Sequence, residues 1–149
     1  VRGIIQYPTP ILTQVSKPVK KVTPKVREIA AELLFYLDTP GCVGLSAVQL
    51  DEPIRMFAVK WAGKDIVIIN PEIIKLSKQT CHRVEGCTSI RKGEAQYLVT
   101  RHKAVRIAGT DLEGEKVMYR VGGLFGEIMQ HEHDHLEGRL IVDHGRDVS

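Results

Sequence analysis

From residue 24 the apolar positions fall three and four apart, as Val26, Ile29, Ala30, Leu33, Leu34 and Leu37. That is the period of a helix with one buried face, and it predicts an amphipathic helix over 24–38. Thr23 offers a capping hydroxyl, Pro24 suits the first helical position, and Thr39-Pro40-Gly41 ends the run. Ahead of the helix, Pro8, Pro10 and Pro18 predict an extended, turn-rich lead-in. From Val43 to about Val121 the pattern becomes strand-like. Segments 54–60, 65–69, 73–76, 97–100, 104–110 and 116–121 are rich in Val, Ile and Tyr. Turn signals such as Ala62-Gly63-Lys64 and Glu113-Gly114-Glu115 separate them. Gly122-Gly123 opens a second helix over 124–136, Gly138 suits the position just past its cap, and 140–142 reads as a last strand. Helix, many strands, then helix predicts an α+β domain: mixed or antiparallel sheets around a central C-terminal helix, with an N-terminal helix, rather than alternating βαβ units.

Composition sharpens this only a little. A chain of 149 residues, 43% hydrophobic and 26% charged, reads as one globular domain over 1–149 with room for a core. The net charge of +3 is modest. Its one small basic cluster, Lys17, Lys20, Lys21 and Lys25, reads as solvated surface rather than a nucleic-acid patch. No apolar run has the length of a membrane span, and no signal-peptide pattern opens the chain. It begins with Val1, not Met, which leaves room for a leader ahead of it. Cys42, Cys81 and Cys87 are an odd number without framework spacing, which suits a reducing compartment and leaves a thiol free for other chemistry.

The chemistry concentrates in Gln130-His131-Glu132-His133-Asp134-His135, inside the second predicted helix. His131 and His135 are one turn apart and share a face, so both imidazoles reach one metal ion with Glu132 alongside. A catalytic site needs a further protein ligand and an open position for water. Cys87 is the strongest candidate, since it follows Gly86 in Glu85-Gly86-Cys87-Thr88-Ser89 and would be a soft thiolate donor. His133, two residues from each candidate ligand, faces away from the metal. Asp134 reads as a group that orients others rather than a ligand. His82, His102 and His144 lack partner spacing and read as surface residues.

Those two segments, together with Cys42-Val43-Gly44-Leu45-Ser46-Ala47-Val48-Gln49, resemble the three motifs of peptide deformylases, in the family's order and over nearly the whole chain. The resemblance implies hydrolytic removal of the N-formyl group from the formyl-methionine of nascent polypeptides. It implies one divalent ion held by Cys87, His131 and His135, natively Fe²⁺, with Zn²⁺ or Ni²⁺ able to replace it. Such an ion lowers the pKa of a bound water, and Glu132 would take that water's proton and pass it to the leaving amine. By the same resemblance, the Gln49 amide and the Thr88 backbone N–H stabilise the oxyanion. Gly44 and Gly86 line a groove for an extended peptide, and Glu85 and Arg101 form a supporting ion pair.

Four positions depart from the usual bacterial pattern: Cys42 and Ser46 stand where Gly and Ala are common, Thr88 where Leu is, and Arg91 where Pro is. Residues 91–96 show no match to the substrate-binding arginine of many bacterial members. Glu127, one turn before His131, stands where the family usually has an apolar or basic residue. With Val43, Leu124 and Ile128 it predicts a first side-chain pocket of mixed polarity and a weakened preference for Met. The implied partners are the formylated nascent peptide and the ribosome, with no nucleic-acid specificity and no membrane. A monomer is expected, with a dimer the alternative, in the cytoplasm or else an organellar matrix. Competing readings are a His-Glu-x-x-His peptidase, which leaves Cys87 and Gln49 unexplained, a paralogue acting on another formyl-amine, and a deformylase-like binder of N-termini without turnover.

Overall fold

The computed structural model describes residues 2–149. α1 spans Pro24–Leu37, and the Thr23 hydroxyl accepts from Val26 N at 3.2 Å, so the predicted cap is the cap that forms. The strands are β1 (Gly44–Ser46), β2 (Met56–Trp61), β3 (Lys64–Leu76), β4 (Thr80–Glu85), β5 (Tyr97–His102), β6 (Ala104–Thr110) and β7 (Lys116–Gly122). They are followed by α2 (Gly123–Leu136), the single turn α3 (Ile141–His144) and β8 (Arg146–Asp147). Five strands make one sheet in the order β1-β2-β3-β6-β7, and β4-β5-β8 make a second, with antiparallel pairing throughout. This is the α+β architecture the pattern predicts.

The large sheet is covered on both faces by helices, and the strand alternation sorts the two cores. Met56, Ala58, Val67 and Ile69 join Ile29, Leu33 and Leu37 of α1. Phe57, Val59 and Ile68, the residues in between, join Ile128, Met129 and Leu136 of α2. A strand buried on both faces reads as a continuous apolar run, which is why β2 is Met-Phe-Ala-Val. α2 also reaches β5 of the small sheet, so it lies between the two. The Gln130 side chain fastens that contact: it accepts from His102 N and donates to His102 O, each at 2.9 Å.

The short strands β1 and β8 lie outside the expected segments, and three further segments differ from expectation. Segments 65–69 and 73–76 are one strand, β3, with register shifts between Ile69 and Leu76. At the irregularity Asn70 has φ +52°, and its amide pairs with both Val19 N and Val19 O at 2.8 Å. β4 was not expected, because Thr-Cys-His-Arg-Val-Glu offers no apolar alternation; every second side chain is exposed and its pairing with β5 creates it. The strand expected at 140–142 is instead the start of α3. There the Asp143 carboxylate accepts from Leu140 N at 2.7 Å, a helix-opening contact that wins over a short apolar triplet.

Candidate active site

α2 is held between the sheets, and its inward turn carries His131, Glu132 and His135 toward the loop after β4. That loop places Cys87 so that its sulfur and one nitrogen from each histidine all lie within 4.8 Å of one another. Cys87 Sγ is 3.4 Å from His135 Nε2. His131 Nδ1 donates to Glu85 Oε1 at 2.7 Å, which fixes the ring and leaves Nε2 for the centre. Burial, reinforced by His131 and Arg101, holds the His135 pKa well below the usual histidine range, so its imidazole is neutral and can donate a lone pair. Burial also opposes protonation of His131, but hydrogen bonds to Cys87 and Glu85 outweigh it and raise its pKa well above the ordinary value. One thiolate and two imidazoles are a donor set suited to a borderline transition-metal ion. The residues present fit one.

Behind the centre lies a closed charge network. Arg101 is 4% exposed. Its Nε and Nη2 donate to the two Glu85 oxygens at 2.8 Å each, and its Nη1 donates to Asp134 at 2.6 Å. Burial would raise the Glu85 pKa, but Arg101 and His131 together pull it down to about 2. Asp134 therefore bonds to the arginine and not to the metal centre. His144, which the sequence gave no partner, comes within 3.6 Å of Asp134. His133 is turned away toward Glu137, at 3.8 Å.

The other wall comes from β1 and the turn after it. Ser46 Oγ donates to Glu132 Oε1 at 2.8 Å. Burial raises the Glu132 pKa, while the neighbouring His131 and Ser46 work against that rise. A Cβ on Gly44 would sit 2.7 Å from Glu132 Oε2, so only glycine leaves this carboxylate in place. Ser46 N donates to Gln49 Oε1 at 2.9 Å, which orients the amide. Gln49 Nε2 then donates to Ser89 Oγ at 2.9 Å and Thr88 Oγ1 at 3.2 Å, and lies 3.8 Å from Cys87 Sγ.

These groups border a cavity of about 230 Å³, whose lining also includes Val43, Gly86, Leu124, Glu127 and Ile128. All the site residues expected from sequence thus gather in or directly behind one cavity. Three contributors had escaped notice. Ser46 differs from alanine only by a hydroxyl, and nothing in sequence shows that the hydroxyl reaches Glu132. Ser89 sits within its motif but carried no assigned role. Arg83 lies on the unexpected strand β4 and comes within 3.2 Å of Glu127 Oε1. Glu127 is only 9% exposed, and burial, with the nearby Glu85 charge, raises its pKa.

A small cavity with soft metal donors at its end and a buried carboxylate beside them defines a metal-dependent hydrolase. The polypeptide deformylase family model matches residues 1–149, and the chain belongs to that family. It is 39% identical over 150 residues to the peptide deformylase of Mesorhizobium japonicum, spanning 97% of this chain and 84% of the relative. To that of Desulforudis audaxviator it is 38% identical over 141 residues, spanning 94% and 90%. The crystal structure of the Thermotoga maritima peptide deformylase superposes with a TM-score of 0.91 at 28% identity, covering 97% of both chains. That of Legionella pneumophila gives 0.90 at 29%, covering 97% of this chain and 85% of the other. The activity is that of the family, metal-dependent removal of the N-formyl group from nascent peptides.

Proposed function

We propose that Cys87, His131 and His135 hold one Fe²⁺ ion and that Glu132 carries the proton of the deformylation. The observation behind this reading is the convergence of the three donors beside a Glu132 carboxylate fixed by Ser46 Oγ at 2.8 Å. When bound, the ion acidifies a water and supplies Lewis acidity to the formyl group. Water adds to the formyl carbon while Glu132 accepts one of its protons. Glu132 then returns that proton to the amine nitrogen as the C–N bond breaks, leaving formate and a free N-terminus. Gln49 Nε2 and the Thr88 N–H donate to the oxygen on which charge develops. Glu85, Arg101 and Asp134 keep His131 in its orientation.

Gly44 and Gly86 leave space along the cavity for the peptide to lie extended. Val43, Leu124, Ile128 and Glu127 would receive the first side chain. The Arg83–Glu127 pair makes that pocket partly polar, and it favours a side chain that brings a hydrogen-bond donor. A monomer acting in the cytoplasm on chains leaving the ribosome is the setting this reading assumes. The test is formate release by the Fe²⁺-loaded protein under anaerobic conditions, with formyl-Met-Ala, acetyl-Met-Ala and formyl-Lys-Ala as substrates. Turnover of both formyl peptides within about tenfold of each other (about 1.4 kcal/mol), with none of the acetyl peptide, is expected. Absence of formate release would overturn the catalytic assignment, and strong selectivity for Met would overturn only the role given to Glu127.

A further inference from the structure

On the far side of the large sheet, pairing places three cations in a row. Lys75 of β3 is opposite Arg106 of β6, and Arg106 is opposite Arg120 of β7. Val105, Ile107 and Val121 point into the core beneath α2, so their neighbours Arg106 and Arg120 point outward. Adjacent strands lie about 4.8 Å apart, and like charges directly opposite one another repel. Among the described residues none of the three forms an ion pair, although Glu72 occupies the same face opposite Ala108. Arg106 Nε is in addition buried without a hydrogen-bond partner. A buried donor on a cation is costly to leave unmade, and here the cost falls on the middle of the row.

The three side chains border a cavity of about 420 Å³ that shares no lining residue with the catalytic one. At one end of it the small residues Ala104 and Gly122 lie beside Ser77 in a single cross-strand row. The Ser77 hydroxyl is committed to the backbone: it accepts from Ala104 N at 3.0 Å and donates to Gln79 O at 2.8 Å. The polar groups it leaves free are those of the three cations, set in a lining otherwise formed by Ala104, Val105, Val121 and Gly122.

We propose that Lys75, Arg106 and Arg120 form a binding site for phosphate oxyanions, carried by an RNA backbone or by a free small phosphate. A phosphate bridging the Arg106 and Arg120 guanidinium groups relieves the repulsion between them. Backbone contacts of this kind position a nucleic acid without reading its sequence, so no base specificity is required.

The test uses the metal-loaded protein and two probes, a fluorescein-labelled single-stranded RNA of about twelve nucleotides and inorganic pyrophosphate. Three neutralised phosphates give single-stranded RNA a salt slope of about −2, a loss of roughly fifteenfold in affinity between 50 and 200 mM salt. The double variant Arg106→Gln/Arg120→Gln should weaken RNA binding at least tenfold and flatten that slope, while releasing formate from formyl-Met-Ala at the parent rate. Should the double variant fold poorly, the exposed Lys75→Gln serves in its place, with a smaller loss in the same direction. RNA binding displaced by pyrophosphate assigns the site to a nucleic-acid backbone. Pyrophosphate binding without RNA binding assigns it to a free phosphate. Binding of neither probe at 50 mM salt, or RNA binding unchanged in the variants, overturns the proposal.

Discussion

Behind α2 the buried charges of Glu85, Arg101 and Asp134 each face an opposite one, whereas the outer face of the large sheet lines up three cations with none. Glu85 sits between Arg101 and His131, and Arg101 reaches on to Asp134. Lys75, Arg106 and Arg120 meet one another across β3, β6 and β7. The first arrangement is closed: its hydrogen bonds join Glu85, Arg101 and Asp134 to one another and hold His131 in place. The second is open, with donors left for something outside the chain. Buried ion pairs are a poor source of stability, because desolvation offsets their attraction. The α2 network is better understood as an orienting device for His131, a candidate metal ligand, and the outer row as a surface awaiting its counterion.

The two regions should answer substitution with opposite signs. Arg101→Leu strands Glu85 without its partner in the interior and should cost about 3–5 kcal/mol, read from urea unfolding of parent and variant. A loss below 1 kcal/mol would mean that the network is not closed as described. Gln49→Leu removes the proposed oxyanion donor and should lower kcat by about 10²–10³, with metal content unchanged in elemental analysis. A change confined to KM would move Gln49 from the reaction to substrate binding.

Cys42 marks the border of the compensated region. It lines the catalytic cavity, and burial, aided by the nearby Glu132 charge, pushes its thiol up to about 11 from 9.0. Between those values the folded chain keeps a proton that the unfolded chain has lost. Stability from this group is thus complete below about pH 9 and falls as pH rises toward about 11. The loss should be absent in Cys42→Ala, as chemical denaturation at pH 8 and pH 10.5 would reveal. The smallest effect belongs to the outer row. With no phosphate present, Arg120→Gln relieves repulsion and should stabilise the fold by about 0.2–1 kcal/mol. Destabilisation by that variant in phosphate-free buffer would erase the contrast between the two faces.

The sequence makes the centre more legible than its surroundings, and the reason is distance along the chain. His131, Glu132 and His135 are bound by one helical period, and Thr23-Pro24 announces α1 from its own cap. Cys87 stood out by its thiolate chemistry beside Gly86, but Gln49 had to be brought in by resemblance, since nothing local ties a turn after β1 to a loop after β4. β4 itself, a polar segment, exists because β5 pairs with it, and so Arg83 beside Glu127 could not be foreseen. The row of Lys75, Arg106 and Arg120 is harder still. Its members are scattered through three segments, and only the register with its shifts in β3 brings them abreast. The apolar triplet at 140–142 misled in the other direction, because Asp143 opens a helical turn where period alone suggests a strand.

The central claim is that Glu132 moves the proton while Cys87, His131 and His135 alone hold the ion. Glu132→Gln keeps the shape and can still accept from Ser46 Oγ, but it cannot take a proton. The decisive measurement is formate release from formyl-Met-Ala together with metal stoichiometry on the same preparation. One ion per chain retained and kcat lowered by about 10²–10⁴ is the result expected. Parent-level turnover, or loss of the ion with the carboxylate, would contradict it.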